Sequence, residues 1–188
     1  MVEVEGGRSP SYLAALSMFA QALPKPGPDY CLIGALALGV WGAVRATQDI
    51  DFLIMLDDDS RDALMSSLSG AGFQVDTRWT DLNPMAKDSF VRLIFGPHAV
   101  DLMLARDAFH REALVRRRRI ALEGLTIEVA SAEDLMLLKL RAGRDQDFVD
   151  VVGVAARQGA ALDLPYLRAW AGRLGITGEL EYALSAAA

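Results

Sequence analysis

Three aspartates are the residues of this 188-residue chain best suited to chemistry. Asp49 and Asp51 alternate with apolar residues in Asp49-Ile50-Asp51-Phe52-Leu53-Ile54, a pattern that predicts a strand. Strand side chains alternate between faces, so the two carboxylates share one face while Ile50 and Phe52 enter the opposite layer. With no basic residue between them they repel each other, which is costly unless a cation sits there. Asp101 interrupts the apolar run Ala99-Val100-Asp101-Leu102-Met103-Leu104. An acid in such a strand is normally excluded unless it is paired, exposed at an edge, or bound to a metal. Carboxylates on adjoining strands offer the hard oxygen ligands that Mg²⁺ takes, with other positions left for water and phosphates. Two ions held by such a set can activate an attacking hydroxyl and stabilise a leaving pyrophosphate.

The elements that must position these acids can be read around them. Tyr30-Cys31-Leu32-Ile33 is an apolar run that stops at Gly34, and Ala35 to Gly42 follows as a short helix. A glycine between strand and helix permits close backbone approach, and free N–H groups in the first helical turn attract phosphate. Upstream, Tyr12, Leu13, Leu16, Phe19 and Leu23 recur at helical spacing, with Ser9 or Ser11 available as a cap and Pro24 to Pro28 as a stop. Asp57 to Ser60 caps a helix over Arg61 to Ala71, closed by Gly70 and Gly72. Phe73 to Thr77 reads as a short strand and Arg78 to Lys87 as irregular. Ser89 to Phe95 and Ala99 to Leu104 flank Gly96-Pro97-His98 and predict an antiparallel hairpin. A helix is expected over Asp107 to Arg118 and a strand over Leu125 to Val129.

From Ser131 the pattern turns helical. Ser131 with Glu133 and Asp134 is a start signal for a helix through Leu135, Leu138 and Lys139 to Gly143. Further helices are expected over Asp147 to Gln158, around Leu167, Trp170 and Leu174, and from Gly178 to Ala187. The fold class is therefore mixed α/β (α+β), a mixed sheet flanked by helices and followed by a C-terminal helical bundle. The division falls at residues 1–130 and 131–188.

Composition narrows the function classes. A formal net charge of −6 argues against a chain that coats itself on nucleic acid, although Arg116 to Arg119 concentrates positive charge. The single cysteine, Cys31, excludes an internal disulfide framework and a Cys-rich zinc site. It lies in an apolar run, as a buried inert thiol would. No signal-peptide pattern opens the chain, and no apolar run reaches the roughly 18–20 residues of a membrane span. A soluble cytoplasmic protein is expected.

Gly34-Ala35-Leu36-Ala37-Leu38 to Gly42, Arg45, Thr47 and Asp49-Ile50-Asp51-Phe52-Leu53 together resemble the core motif of the nucleotidyltransferase (polymerase-beta-like) superfamily. Within it the chain is most similar to the abortive-infection toxin branch of small nucleotidyltransferases. Asp134 to Gly143, with its lysine, and the following Arg144-Asp145-Gln146-Asp147-Phe148-Val149-Asp150 extend the likeness. The resemblance implies a Mg²⁺-dependent enzyme, with Mn²⁺ as a possible substitute. It would transfer a nucleoside monophosphate from an NTP to an acceptor hydroxyl and release pyrophosphate. Asp49, Asp51 and Asp101 would hold the metal, and Asp101 would help deprotonate the acceptor. Gly34 and Ala35 would hold phosphates through the backbone; Ala35 stands where the superfamily usually has Ser or Gly, so a hydroxyl contact is missing. Lys139 would neutralise triphosphate charge, Asp147 and Asp150 would orient Lys139 or Arg144, and Arg45, Arg144 and Asp147 would border the nucleotide. The acceptor would be RNA or tRNA, a protein, or a small molecule such as an antibiotic, and a toxin would imply an antitoxin partner.

Other readings stay open on the residues alone. Asp49 and Asp51 could keep an edge strand soluble, and Arg45 could pair with Asp49 or a neighbouring helix. Lys139 could snorkel from a half-buried helix, and Asp150 could pair with Arg141 or Arg144. Arg116 to Arg119 could be a solvated helix end or a landing strip for an RNA backbone. His98 falls in a hairpin turn and His110 on a surface helix, without triad partners. Trp41, Trp79 and Trp170 read as packing residues. A non-catalytic protein that keeps the fold is the rival of a different class, and Ala35 is its support.

Overall fold

The computed structural model describes residues 11–187 except Gln48 and Glu123, and of Asp58 and Asp59 the backbone only. In chain order the elements begin with α1 (Tyr12–Ala22), β1 (Tyr30–Ile33), α2 (Gly34–Val40), β2 (Asp49–Ile54) and α3 (Asp58–Gly70). Then come β3 (Gln74–Val75), α4 (Thr77–Leu82), β4 (Phe90–Phe95), β5 (His98–Leu104) and α5 (Ala108–Val115). The chain continues through β6 (Arg118–Leu122), β7 (Leu125–Val129), α6 (Ala132–Ala142), α7 (Asp145–Gln158), α8 (Leu164–Leu174) and α9 (Thr177–Ala186).

The strands form one mixed sheet in the order β3-β4-β5-β2-β1-β7-β6. β2 lies near its middle, antiparallel to β1 and parallel to β5, so Asp51 pairs with Ile33 on one side and Asp101 on the other. Along β2 the expected alternation holds: Ile50 and Phe52 are fully buried, whereas Asp49 and Asp51 keep partial access to solvent. Phe52 stacks on Phe19 of α1 with centroids 4.1 Å apart, which seals that face of the sheet. Burial of two such aromatics contributes several kcal/mol on the area scale.

Local signals start the helices. Ser11 accepts the N–H of Ala14 at the head of α1, and Asp57 with Ser60 forms a reciprocal capping box on α3. Ser131 accepts the N–H of Asp134 at the start of α6, which ends where Gly143 turns left-handed at φ 69°. The apolar core is continuous from Ala15 in α1 to Ala183 in α9, so sheet and C-terminal helices share one interior. No described helix is long and apolar enough to cross a membrane.

Several sequence expectations need correction. Phe73 to Thr77 gives only a two-residue strand, and the segment expected to be irregular contains α4, capped by the Asp76 carboxylate on the Trp79 N–H. The helix expected to run to Arg118 stops at Val115, and Arg118 opens a strand. His110 is buried, not on the surface: its Nδ1 accepts the Arg106 N–H at 3.1 Å. His98 starts β5 and packs its ring on Tyr12. Ser9 lies outside the described residues.

Candidate active site

The three acids do share a face. Asp51 and Asp101 are register partners on adjacent parallel strands, and Asp49 sits two residues along from Asp51 toward the β4–β5 turn. Among the described residues no side chain donates a hydrogen bond to Asp51. Burial first, then repulsion from Asp101 and Asp49, pushes its carboxyl up to about 6, with Lys139 and Arg45 opposing the rise. A group raised in this way is an anion short of positive charge.

Asp51 is also the reason for Gly34. Gly34 opens α2 at φ 66°, and a Cβ built there would lie 1.9 Å from Oδ2 of Asp51. The close approach expected of this glycine is therefore made by the chain's own carboxylate, and only a residue without Cβ leaves room for it. Ala35 is buried with its side chain turned into the protein. A methyl group suits that packing.

Cations line the helical side of the acids. α7 lies along the segment after α2: Gln158 donates to the Trp41 carbonyl, Gly153 meets Ala43, and Arg157 packs over Gly42. This brings Nε of Arg45 to 3.4 Å from Asp150, a pairing with a neighbouring helix and not with Asp49. Lys139 does not snorkel. It is 6% exposed, and its Nζ donates to Asp147 at 2.9 Å and Asp150 at 2.8 Å. Arg144 grips Asp147 with Nε at 2.7 Å, and Gln146 donates to Asp150 at 3.1 Å. Burial raises the Asp147 carboxyl, but the bonds from Arg144 and Lys139 outweigh it and hold the group below the usual range. Asp147 and Asp150 thus both accept from Lys139, and Asp150 also takes Arg45 where Arg141 or Arg144 had been the alternatives. Arg141 pairs with Asp107 instead.

Sequence reasoning missed Arg92. It lies on β4 directly opposite Asp101 and holds it bidentately, Nε to Oδ1 at 2.7 Å and Nη2 to Oδ2 at 2.6 Å. Nη2 also stands 3.8 Å from Oδ2 of Asp49. Hydrogen bonding to Asp101, ahead of the opposing desolvation, raises the guanidinium further above its ordinary range. Trp79, read as a packing residue, lies with its ring 4.9 Å from this guanidinium. The clue was available: a hairpin turning at Gly96-Pro97 with Phe95 opposite His98 sets position 92 against position 101.

The acids suit a divalent cation in kind: carboxylate oxygens on one face, with Asp51 short of a cationic partner. As they stand, however, Asp49, Asp51 and Asp101 do not close into a three-ligand set, and no such group of His, Cys, Asp or Glu occurs among the described residues. Arg92 holds both oxygens of the third member.

The remaining candidates lie elsewhere. Arg116 packs 3.7 Å over the Tyr166 ring and faces Glu133 and Asp134. Arg117 pairs with Asp29, and Arg119 with Glu128 across the β6–β7 ladder. Arg116 and Arg117 are thus engaged, whereas Arg118 and Arg119 are exposed on the edge strand β6. Cys31 is fully buried, and burial pushes its thiol up to about 12. Trp41 and Trp170 pack as expected, with Trp41 donating to the Ala130 carbonyl and Trp170 against Phe109.

No family model matches the chain, and no curated protein matches it. Solved structures do. The antibiotic-resistance factor ANT(2'')-Ia in solution superposes with a TM-score of 0.59 at 15% identity, covering 88% of this chain and 94% of that one. The crystal structure of ANT(2'')-Ia in complex with adenylyl-2''-tobramycin gives 0.56 at 15% identity, over 81% and 92%. At such identities the likeness is one of fold. The chain has a nucleotidyltransferase-like fold.

Proposed function

We propose that this protein is a metal-dependent nucleotidyltransferase that moves a nucleoside monophosphate from an NTP to an acceptor hydroxyl, with release of pyrophosphate. One observation carries the reading: three carboxylates share a face of the sheet, Asp51 without a cationic partner among the described residues, near Lys139 and Arg144 of the C-terminal helices and Arg45 of the segment before β2. Asp51 feels both groups, repelled by the acids and attracted by Lys139 and Arg45. A nucleoside triphosphate bound with a divalent cation has the charge distribution to bridge such a divide.

In this reading Asp49 and Asp51 hold Mg²⁺ or Mn²⁺, joined by Asp101 when it is freed from Arg92. The metal, when bound, supplies Lewis-acid stabilisation of charge on the phosphoryl oxygens. Lys139 and Arg144 face the polyphosphate and offset its charge, Lys139 as a point charge held by Asp147 and Asp150. Arg45 and the backbone at Gly34 and Ala35 border the phosphates. Asp101 accepts the proton of the acceptor hydroxyl. Residues 131–188 close over the cleft of residues 1–130. Catalysis rests on positioning and charge, with no covalent intermediate on the protein.

The test pairs purified protein with Mg²⁺, each labelled NTP, and three acceptor pools: total RNA, a protein extract, and small polyols and amines including antibiotics. An Asp49→Ala/Asp51→Ala variant runs alongside. Label transferred by the wild type alone supports the assignment; transfer that survives in the variant sinks it. Absence of pyrophosphate release with every pool favours the non-catalytic rival. The pairing of Arg116 and Arg117 with acids narrows the basic patch to Arg118 and Arg119, which gives less weight to the RNA arm and makes a small-molecule hydroxyl the second reading.

A further inference from the structure

Arg92 is placed as no purely structural ion pair needs to be. Its guanidinium stands 2.6 Å from Asp101 and 3.8 Å from Asp49, two of the three acids read as cation ligands. The Trp79 ring lies 4.9 Å from it, and Asp76 adds attraction. Arg92 therefore has two sets of partners: two acids of the sheet trio, and an aromatic ring with a third acid at the head of α4. The side chain is partly accessible, at 21% exposure, so movement between them does not require the core to open.

We propose that Arg92 is a resident counter-cation of the acid cluster, which competes with a divalent ion for Asp101 and Asp49. This inference rests on the reading of the acids as a cation site. In the nucleotide-free protein the guanidinium neutralises Asp101, offsets part of the charge of Asp49, and keeps metal affinity low. Metal arriving with a triphosphate brings phosphate oxygens as further ligands and meets Lys139 and Arg144 on the far side. That combination draws Asp49 and Asp101 to the metal and turns Arg92 toward Trp79 and Asp76. Arg92 is a positioning residue in this scheme: it sets the state of Asp101 and makes tight metal binding conditional on nucleotide. The electrostatics favour the exchange, since a divalent ion exceeds a guanidinium in charge density while both seek the same oxygens.

Mn²⁺ binding, followed by electron paramagnetic resonance of the free ion and by calorimetry, tests the proposal without reference to turnover. Removing the competing charge in Arg92→Gln should tighten Mn²⁺ binding in the absence of nucleotide by roughly tenfold. Arg92→Lys keeps the charge but loses the bidentate grip, and should fall between wild type and Arg92→Gln. With a non-hydrolysable NTP analogue the three proteins should converge, because the competitor has already been displaced in the wild type. Equal Mn²⁺ affinity in wild type and Arg92→Gln, or weaker affinity in the variant, overturns the proposal and leaves Arg92 as a structural pair. If Arg92→Gln does not fold, Arg92→Lys decides by the same comparison. Should neither the wild type nor the Arg92 variants bind Mn²⁺, with or without the analogue, the cation-site reading itself fails. That result is distinct from binding which is present but indifferent to Arg92.

Discussion

Two clusters of aspartates face each other in this molecule, and they are built on opposite terms. On the helical side, Asp147 and Asp150 are buried and saturated: Lys139, Arg144, Arg45 and Gln146 supply their donors. On the sheet side, Asp51 has no side-chain donor among the described residues, Asp49 is approached only at 3.8 Å, and Arg92 satisfies Asp101 alone. The first arrangement is what a buried charge requires to be tolerated at all. The second leaves electrostatic cost in place, and such cost persists where a ligand is to relieve it. The contrast separates acids whose charge is matched within the chain from acids whose charge is not.

The strongest way to break the comparison is to remove its two sides in turn. Asp51→Asn should lower nucleotidyl transfer by at least about 10³-fold, the scale of a lost charge-stabilising group, yet raise the melting temperature at pH 7.5. Asp147→Asn should do the reverse to the fold, costing about 3 kcal/mol because Lys139 and Arg144 lose a shared buried partner. Calorimetric melting beside initial rates distinguishes the two. A destabilised Asp51→Asn would falsify the view that its carboxylate is under strain.

Gly34→Ala comes next. Its methyl group would meet Oδ2 of Asp51 at a left-handed φ, so about 1–3 kcal/mol of stability should go, together with at least about tenfold in transfer rate. Gly34→Ala combined with Asp51→Gly relieves the clash but not the backbone, and should recover part of the stability with no activity.

The third test is titration. The folded chain keeps the Asp51 proton up to about pH 6, whereas the unfolded chain releases it near the ordinary carboxylate value. The contribution of this group to stability is therefore fully present below that ordinary value and is lost as pH rises through about 6. Transfer moves the opposite way, rising through the same window as Asp51 ionises. Rates and melting temperatures measured from pH 5 to 8 should cross in wild type and run flat in Asp51→Asn, apart from other titrating groups.

The smallest effect is expected at Arg119. Its pair with Glu128 is mostly exposed, so Arg119→Gln should change stability by less than about 1 kcal/mol and leave transfer unchanged. Salt-sensitive binding of total RNA that falls in this variant would return the RNA acceptor to first place.

What the sequence disclosed follows the range of the forces involved. The β2 strand, the β4–β5 hairpin and the C-terminal helices were legible because alternation, turn residues and caps are local. Asp49, Asp51 and Asp101 stood out because charge in an apolar strand is uncommon. α4 was missed: Thr77-Arg78-Trp79-Thr80 has weak helical propensity, and the helix leans on the Asp76 cap and the stacking of Trp79 with Arg92. β6 was missed because an arginine run does not read as a strand until Glu128 lies opposite Arg119. Lys139 was ambiguous for the same reason, since burial and its two acids are facts of packing.

The break between α6 and α7 has a kinetic consequence. Gly143 and Arg144 turn the chain so sharply that Lys139 meets Asp147 and Asp150 at sequence separations of only 8 and 11. A helical hairpin of this kind closes by local contacts, which form early and fast, whereas the parallel pairing of β2 with β5 must wait for a long loop to be spanned. The Lys139, Asp147 and Asp150 cluster should therefore assemble ahead of the sheet acids during folding, its own charges already matched. The three sheet acids then come together after that hairpin has closed, since the loop between β2 and β5 is the longer one to span.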